Sequence, residues 1–216
     1  MTPVRPALPE GAKPWLHDFA RWLAGWLYRS AYRIRVHGRD RIPGTGQVVL
    51  VANHSSFMEP QLIFGLVRRR SVFLVKSEIW RGILGRLLGW LGQLPIQRGM
   101  ADRAPLMAAV QFLRLGGLVG VFPEGSRGSG DMLHAEQGAA WLVRTSGAVV
   151  LPVATRGTNR PDGSGRRFRP AVDILVGTPV TVTVARGRSG LAAATEEIRV
   201  RLADLVCELD ERRGRR

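Results

Sequence analysis

The chain is predicted to form a single α/β domain, a mixed central sheet covered by helices, with an amphipathic helix ahead of it. Short continuous apolar runs such as Val48, Val49, Leu50, Val51 and Ala52 have the length and β-branched content of buried strands. Between them lie longer stretches of helical periodicity, and that alternation points to a sheet with helices packed on it. The length of 216 residues with 45% apolar content suits one complete hydrophobic core and leaves little room for two.

Taken in order, residues 1–14 carry no apolar core of the kind a signal peptide needs. Residues 15–32 predict an amphipathic helix: at roughly 100° per residue, Trp15, Leu16, Phe19, Trp22, Leu23, Trp26 and Leu27 share an arc of about 140°. His17, Asp18 and Arg21 point elsewhere, so His17 is expected in solvent. Three tryptophans with Arg29 and Arg33 beside them fit a helix lying at a membrane surface, against the plainer alternative of a helix packed on the domain. The strand at 48–52 is followed by His54, and Glu59 opens a helical stretch through Leu62, Ile63, Leu66 and Val67. Val72, Phe73, Leu74 and Val75 predict a strand ending at Lys76. The apolar surface of Ile79, Trp80, Ile83, Leu84, Leu87, Trp90 and Leu91 is backed by Gly82, Gly85 and Gly89, which weaken a free helix by up to about 1 kcal/mol each and so require packing or lipid. Further on, 106–115 and 135–145 read as helices, 118–122, 172–176 and 180–184 as strands, and 161–167 as a polar loop. Ile198, Leu202, Leu205 and Leu209 mark a final amphipathic helix that should bury Cys207.

The formal charge of +15 calls for an anionic partner or a compositional explanation, and all but Lys13 and Lys76 of the 32 basic residues are arginine. Arg68, Arg69, Arg70 and the arginines of the C-terminal tail come without a helix-turn-helix, zinc spacing or RNP-like strand, so no nucleic-acid partner is expected; a solvated or lipid-facing surface is. One cysteine excludes an internal disulfide, makes a thiolate metal site improbable and fits a reducing compartment. No stretch reaches the ~18 apolar residues of a membrane span.

The chemistry concentrates in two blocks. His54 sits just past a strand end, where open α/β sheets place active-site residues, and Glu59 at the helix start is placed to turn back to the imidazole. A carboxylate accepting from one ring nitrogen frees the other to take a proton from a hydroxyl. By itself this pair is a weak signal and reads more readily as a surface histidine and a helix-capping glutamate; the second block changes that balance. Downstream, Pro123, Glu124, Gly125, Ser126, Arg127 and Gly128 form a turn in which glycines permit close backbone approach and Arg127 offers a planar fork suited to phosphate, or else a strand-end turn with a solvated arginine.

Four ordered motifs bind these blocks together: Asn53-His54 through Glu59-Pro60, Gly92 through Arg98, Phe122 through Arg127, and Val150-Leu151-Pro152-Val153. In this order, over residues 36–184, the chain resembles the glycerolipid acyltransferase family that includes bacterial 1-acyl-glycerol-3-phosphate acyltransferases. It departs from the family's pattern in Glu59 for the usual Asp, Pro95 for an aromatic residue, and Gln137 where relatives often carry Lys. The resemblance implies an N-terminal tail and membrane-surface helix over 1–35 and an acyltransferase domain over 36–216. It implies transfer of a fatty acyl group from acyl-CoA or acyl carrier protein to the free hydroxyl of 1-acyl-glycerol 3-phosphate, giving phosphatidic acid in phospholipid biosynthesis. His54 would be the base and Glu59 its orienting acid. Arg98, Gly125, Ser126 and Arg127 would hold the acceptor phosphate, helped by Lys76, with Glu124 on the glycerol or bracing Arg127. Direct transfer implies no acyl-enzyme, so Ser55 and Ser56 serve turn hydrogen bonds, and neither metal nor cofactor is required. The partners implied are a lysophospholipid, the thioester donor and a membrane surface, and the implied location is peripheral, on the cytoplasmic face of the cell membrane. Another lysophospholipid or an amino-lipid acceptor, and a non-catalytic lipid-binding protein, are the alternatives.

Overall fold

The structure, a computed structural model, describes residues 5–97, 103–125, 130–159 and 168–215. Arg98, Ser126, Arg127 and the loop at 161–167 lie outside the described residues. Seven strands form one mixed sheet: β1 (Arg33–His37), β2 (Val48–Ala52), β3 (Ser71–Lys76), β4 (Leu94–Ile96), β5 (Leu118–Val121), β6 (Val149–Arg156) and β7 (Ala171–Val176), in the order β1-β7-β6-β2-β5-β3-β4. Every neighbouring pair is parallel except β6 with β7. Strand β2 lies in the middle, with Val48 beside Leu118 of β5 and Val149 of β6.

Alternation along β2 divides two cores. Val49 and Val51 face Phe112, Leu142, Ile198 and Leu202, from α4 (Arg103–Arg114), α5 (Gly138–Ser146) and α6 (Gly187–Gly214). Val48, Leu50 and Ala52 face Leu62, Ile63 and Phe64 of α2 (Glu59–Leu66), with Ala20 and Ala24 of α1 (Pro14–Ala31) behind. A sixth helix, α3 (Gly82–Trp90), follows β3 after a short 3-10 turn. Both faces of β2 are thus covered, which is why its sequence is apolar without a break.

Helix α1 lies on α2 at a crossing made possible by two glycines. A Cβ added at Gly65 would come 2.6 Å from the Gly25 nitrogen, and one at Gly25 would come 3.1 Å from the Gly65 carbonyl oxygen. This crossing decides which side of α1 faces inward. The small residues Ala20 and Ala24 turn to the core and take His17 with them, while Trp15, Phe19, Trp22, Trp26 and Leu27 are half or more exposed. His17, expected in solvent, is instead fully buried: its Nδ1 bonds the Leu91 carbonyl at 2.8 Å and its ring meets Phe64 edge-on. Burial is the main cause that pulls its pKa below the ordinary value, so the neutral imidazole is favoured.

Other expectations shift for similar reasons. Residues 180–184 form no strand: Val180 makes one isolated antiparallel bridge to Val150, and the alternation of Val180, Val182 and Val184 is met by packing on the α5 and α6 side of the sheet. Strands β1 and β4 were not legible; β1 alternates two isoleucine and valine positions with arginines, and β4 has three residues. Cys207 is exposed, because Val206 and Leu209 take the sheet-facing side of α6. Of the arginine triplet only Arg68 is exposed. Arg69 turns inward to the carbonyls of Pro43, Gly46 and Gly116, and Arg70 to Pro6 and Asp18.

Because the α1–α2 crossing has no space for a side chain at Gly65, Gly65→Ala should destabilise the protein by about 1–3 kcal/mol, the usual cost of overpacking, despite alanine's better helix propensity. Gly25→Ala, with a less crowded site, should cost less. Urea unfolding of the two variants checks this, and an unchanged midpoint for Gly65→Ala would contradict the close crossing.

Candidate active site

The site begins at the C-terminal end of β2. Asn53 is buried and continues the sheet's pairing with its side chain: Oδ1 accepts from the Thr155 N–H at 2.8 Å and from its hydroxyl at 3.2 Å, while Nδ2 donates to the carbonyls of Thr155 and Gly130. Arg156 Nη1 donates to the same Gly130 carbonyl and its guanidinium pairs with Asp131 and Asp210, fastening this loop to α6. The chain is therefore rigidly held where His54 leaves the sheet.

The His54 backbone N–H donates to Glu124 Oε1 at 2.8 Å, and its ring lies against Phe122, centroids 4.6 Å apart. Ring Nδ1 is 2.9 Å from Glu59 Oε2. Glu59, at the first position of α2, has no solvent exposure, so its carboxylate depends on donors. It has five: Oε2 accepts from the His54 ring and from the Ser55 and Ser56 N–H groups, and Oε1 from the hydroxyls of Ser55 at 2.6 Å and Thr158 at 2.7 Å. Burial works to raise this carboxyl's pKa, but the hydrogen bonds from His54, Ser55, Thr158 and Ser56 outweigh it and hold the pKa below the ordinary value. An ionised Glu59 accepts only, so Nδ1 must carry the ring proton and Nε2 is the nitrogen left free to take one. The extra methylene of Glu59 is accommodated at the helix start without losing the imidazole. Ser56 Oγ accepts the Met58 N–H, as a turn hydroxyl does.

His54 lines a cavity of about 840 Å³ whose walls are mostly apolar, with Phe64 and Phe73 from one side, Leu84 and Leu88 of α3, Leu91 just past it and Ile96 of β4. Lys76 also lines it, at the end of β3, with Nζ 2.8 Å from Glu78 Oε1. Gly125 and Gln97 line it too. Glu124 accepts from the His54 backbone and helps fix where that residue sits. Burial is the first cause raising its pKa, with the charges of Glu59 and Asp131 adding to it and the His54 contacts opposing. His134 is exposed and His37 lies in β1, away from the strand ends that carry the site. Among the described residues no three His, Cys, Asp or Glu side chains gather as a metal-binding group.

Thr158 is the functional contact that sequence reasoning missed. It lies 99 positions from Glu59, and only the parallel pairing of β2 with β6 brings the two together. Gly157, at φ +85°, turns the chain there, where a Cβ would strike the Ala171 carbonyl.

Fold and site together define an α/β protein with a histidine paired to a buried carboxylate in the wall of a mostly apolar cavity. Comparison with known proteins gives this class its family. A family model described as Acyltransferase matches residues 33–156, more than half of the chain. The 1-acyl-sn-glycerol-3-phosphate acyltransferase of Bacillus subtilis is 23% identical over 82% of this chain and 90% of its own length. The enzyme of the same name from Borreliella burgdorferi is 28% identical over 64% of this chain, which spans about half of that relative's length. Among solved structures, the crystal structure of the 1-acyl-sn-glycerophosphate (LPA) acyltransferase PlsC from Thermotoga maritima superposes with a TM-score of 0.66 at 25% identity, covering 92% of this chain and 78% of that one. The chain belongs to the acyltransferase family, in its glycerolipid branch, and is an O-acyltransferase.

Glu59 has a depressed pKa, so its contribution to stability is fully present above the unfolded carboxyl's value near 4.3 and is lost as pH falls through its lower folded value. Glu59→Gln should therefore be less stable than the parent near neutrality, by at least the ~1.5–3 kcal/mol of one hydrogen bond to a charged group. The gap should narrow on acidification below about pH 4. Thr158→Val, which removes one donor and keeps the shape, should show a smaller loss with the same pH trend. Denaturant titrations across pH measure both, and a gap independent of pH would show that the charge of Glu59 is not what the network stabilises.

Proposed function

We propose that this enzyme transfers a fatty acyl group from acyl-CoA or acyl carrier protein to the free hydroxyl of 1-acyl-glycerol 3-phosphate, giving phosphatidic acid for phospholipid synthesis. The observation that carries the reading is the His54–Glu59 pair in the wall of a large apolar cavity, with Nδ1 engaged and Nε2 free. Nε2 takes the hydroxyl proton as the oxygen attacks the thioester carbonyl. The carbon–sulfur bond then breaks, and the imidazolium returns the proton to the departing thiolate. Glu59 steadies the imidazolium throughout and keeps the ring's tautomer. The apolar walls receive the acyl chain, and holding both substrates in line adds effective molarity to what the base supplies. Arg98, Arg127 and Lys76, with the turn at Gly125 and Ser126, hold the acceptor phosphate. The reaction so written uses neither metal nor cofactor. Gln137, exposed at the N-cap of α5 where relatives often carry Lys, keeps a lysophospholipid with a different headgroup as the second reading.

The acceptor is supplied from a membrane surface, at the cytoplasmic face, in this reading. Support comes from the outward aromatic arc of α1 and from Ile83, Leu84, Leu87 and Trp90 of α3, which are likewise exposed. The two helices meet: the Lys13 N–H donates to the Trp90 carbonyl, and the Lys13 ammonium sits 4.2 Å from the Trp90 ring centroid. Leu84 and Phe57 are both exposed and part of the cavity lining, so the apolar exterior runs into the acyl site. No described helix is long and apolar enough to cross a membrane.

His54→Ala should lower turnover by ~10²–10⁴-fold, the usual contribution of a positioned base, in an assay that follows thiol release from acyl-CoA with 1-acyl-glycerol 3-phosphate. Arg98→Ala and Arg127→Ala should raise the acceptor's KM by ~10–150-fold, and an effect confined to the donor's KM would move these arginines to the thioester side. Replacing Trp15, Trp22 and Trp26 together by Ser should release the protein from anionic vesicles and slow transfer to a membrane-borne acceptor, while a short-chain soluble acceptor is used nearly as well. Flotation of that variant equal to the parent's would place docking elsewhere.

A further inference from the structure

A second cavity, of about 260 Å³, opens at the end of the sheet where β2, β3 and β5 begin, the opposite end from His54. Arg39, Arg68 and Arg69 line it together with Leu66 and Pro43, and none of its lining residues is acidic. Arg69 is accounted for as a latch, its fork spent on the carbonyls of Pro43, Gly46 and Gly116. The other two are not. Arg39 gives one Nη2 hydrogen bond to the Leu66 carbonyl at 3.3 Å, at the end of α2, but its Nε is buried with no partner. Arg68 is exposed and has no hydrogen bond or ion pair among the described residues. Buried donors in folded proteins are nearly always satisfied, so an orphaned guanidinium N–H beside a cavity asks for an acceptor. Like charge compounds the demand: burial first, then the positive charges of Arg68 and Arg29, pull the Arg39 pKa down from its ordinary value. Three guanidinium groups around a space without a carboxylate are an arrangement that an anion stabilises and its absence strains.

We propose that this cavity is a second anion site, separate from the acyl-transfer centre, that binds a phosphate group through Arg39 and Arg68 with Arg69 adding charge. Planar guanidinium forks suit phosphate oxygens. A free phosphate and the headgroup of an anionic phospholipid present the same chemistry. The nearness of Arg29, in the last turn of α1, favours the lipid, a choice that rests on the reading of α1 as the membrane-facing helix.

The test uses the full chain carrying Arg98→Ala and Arg127→Ala, so that phosphate held at the acyl-transfer centre does not mask the second site. Calorimetric titration with inorganic phosphate is compared with sedimentation on phosphatidylcholine vesicles with and without phosphatidic acid. In this background Arg68→Gln and Arg39→Gln should each weaken binding by about tenfold or more, the loss expected for a charge-assisted contact. Arg188→Gln, at an exposed arginine of α6, should leave it unchanged. Weakening in the phosphate titration shows that free phosphate suffices, and weakening confined to phosphatidic acid vesicles assigns the site to a lipid headgroup. Arg68 is exposed, so its substitution tests the site even if Arg39→Gln fails to fold. In otherwise unmodified protein, Arg68→Gln should keep the parent's turnover on a short-chain soluble acceptor, which separates this site from the His54 chemistry. If Arg68→Gln binds phosphate and phosphatidic acid vesicles as Arg188→Gln does, the proposal is overturned.

Discussion

A carboxylate with no solvent exposure must be surrounded by donors or it will not stay charged, and the arrangement around Glu59 follows from that constraint. Removing an ion from water costs several kcal/mol even after relaxation. Five donors offset that cost, and they come from three places: the imidazole, the turn that starts α2, and the chain just past β6. None of these sources can move without leaving the others short. Asn53 shows how far the requirement extends, since its amide stitches the end of β2 to Thr155 and so fixes how close Thr158 comes. A satisfied network of this kind in a low dielectric is stiff, and it holds the His54 ring so that Nε2 points one way.

The sheet order explains why the pieces arrive together. With β2 central and parallel to both β5 and β6, the segments at 53–59, 122–125 and 155–158 all leave the same edge of the sheet. Open α/β sheets collect their chemistry outside the carboxyl ends of their strands for this reason. Phe122 supports the His54 ring from the β5 side and stacks on Phe73 of β3, so the imidazole and the apolar cavity share a wall.

What could be read in the sequence was what is local. His54 and Glu59 are five residues apart and their relation depends on one turn, so the pair was visible locally and gained its meaning from the second block and the order of the motifs. Buried strands such as β2 and β5 announce themselves by unbroken apolar runs. Thr158 had no such signal, because its partner lies across a strand pairing. Periodicity grouped the tryptophans of α1 on one arc but could not say which side of the helix faces the core. The deciding feature was size: Ala20, Ala24, Gly25 and Gly65 allow backbones to approach, so the small side went in with His17 and the tryptophans were left outside. The same limit applies to Cys207, one position from a residue that packs on the sheet, where a step of roughly 100° turns a side chain from inside to outside.

The arginine excess also has a structural component that a charge count conceals. Arg21 donates to the Val67 carbonyl, Arg39 to Leu66, Arg41 to Val176, and Arg69 to three carbonyls at the far end of the sheet. A carbonyl latch uses the fork of the guanidinium without neutralising its charge, unlike the bidentate pairing of Arg35 with Asp173. Each such latch therefore adds to stability locally and leaves a positive charge in the field of the whole molecule. A chain that fastens its loops in this way builds toward +15 even where, as at Arg21 and Arg41, the guanidinium serves as a latch. The field that results still draws anions, and it does so most where a guanidinium is left with donors to spare.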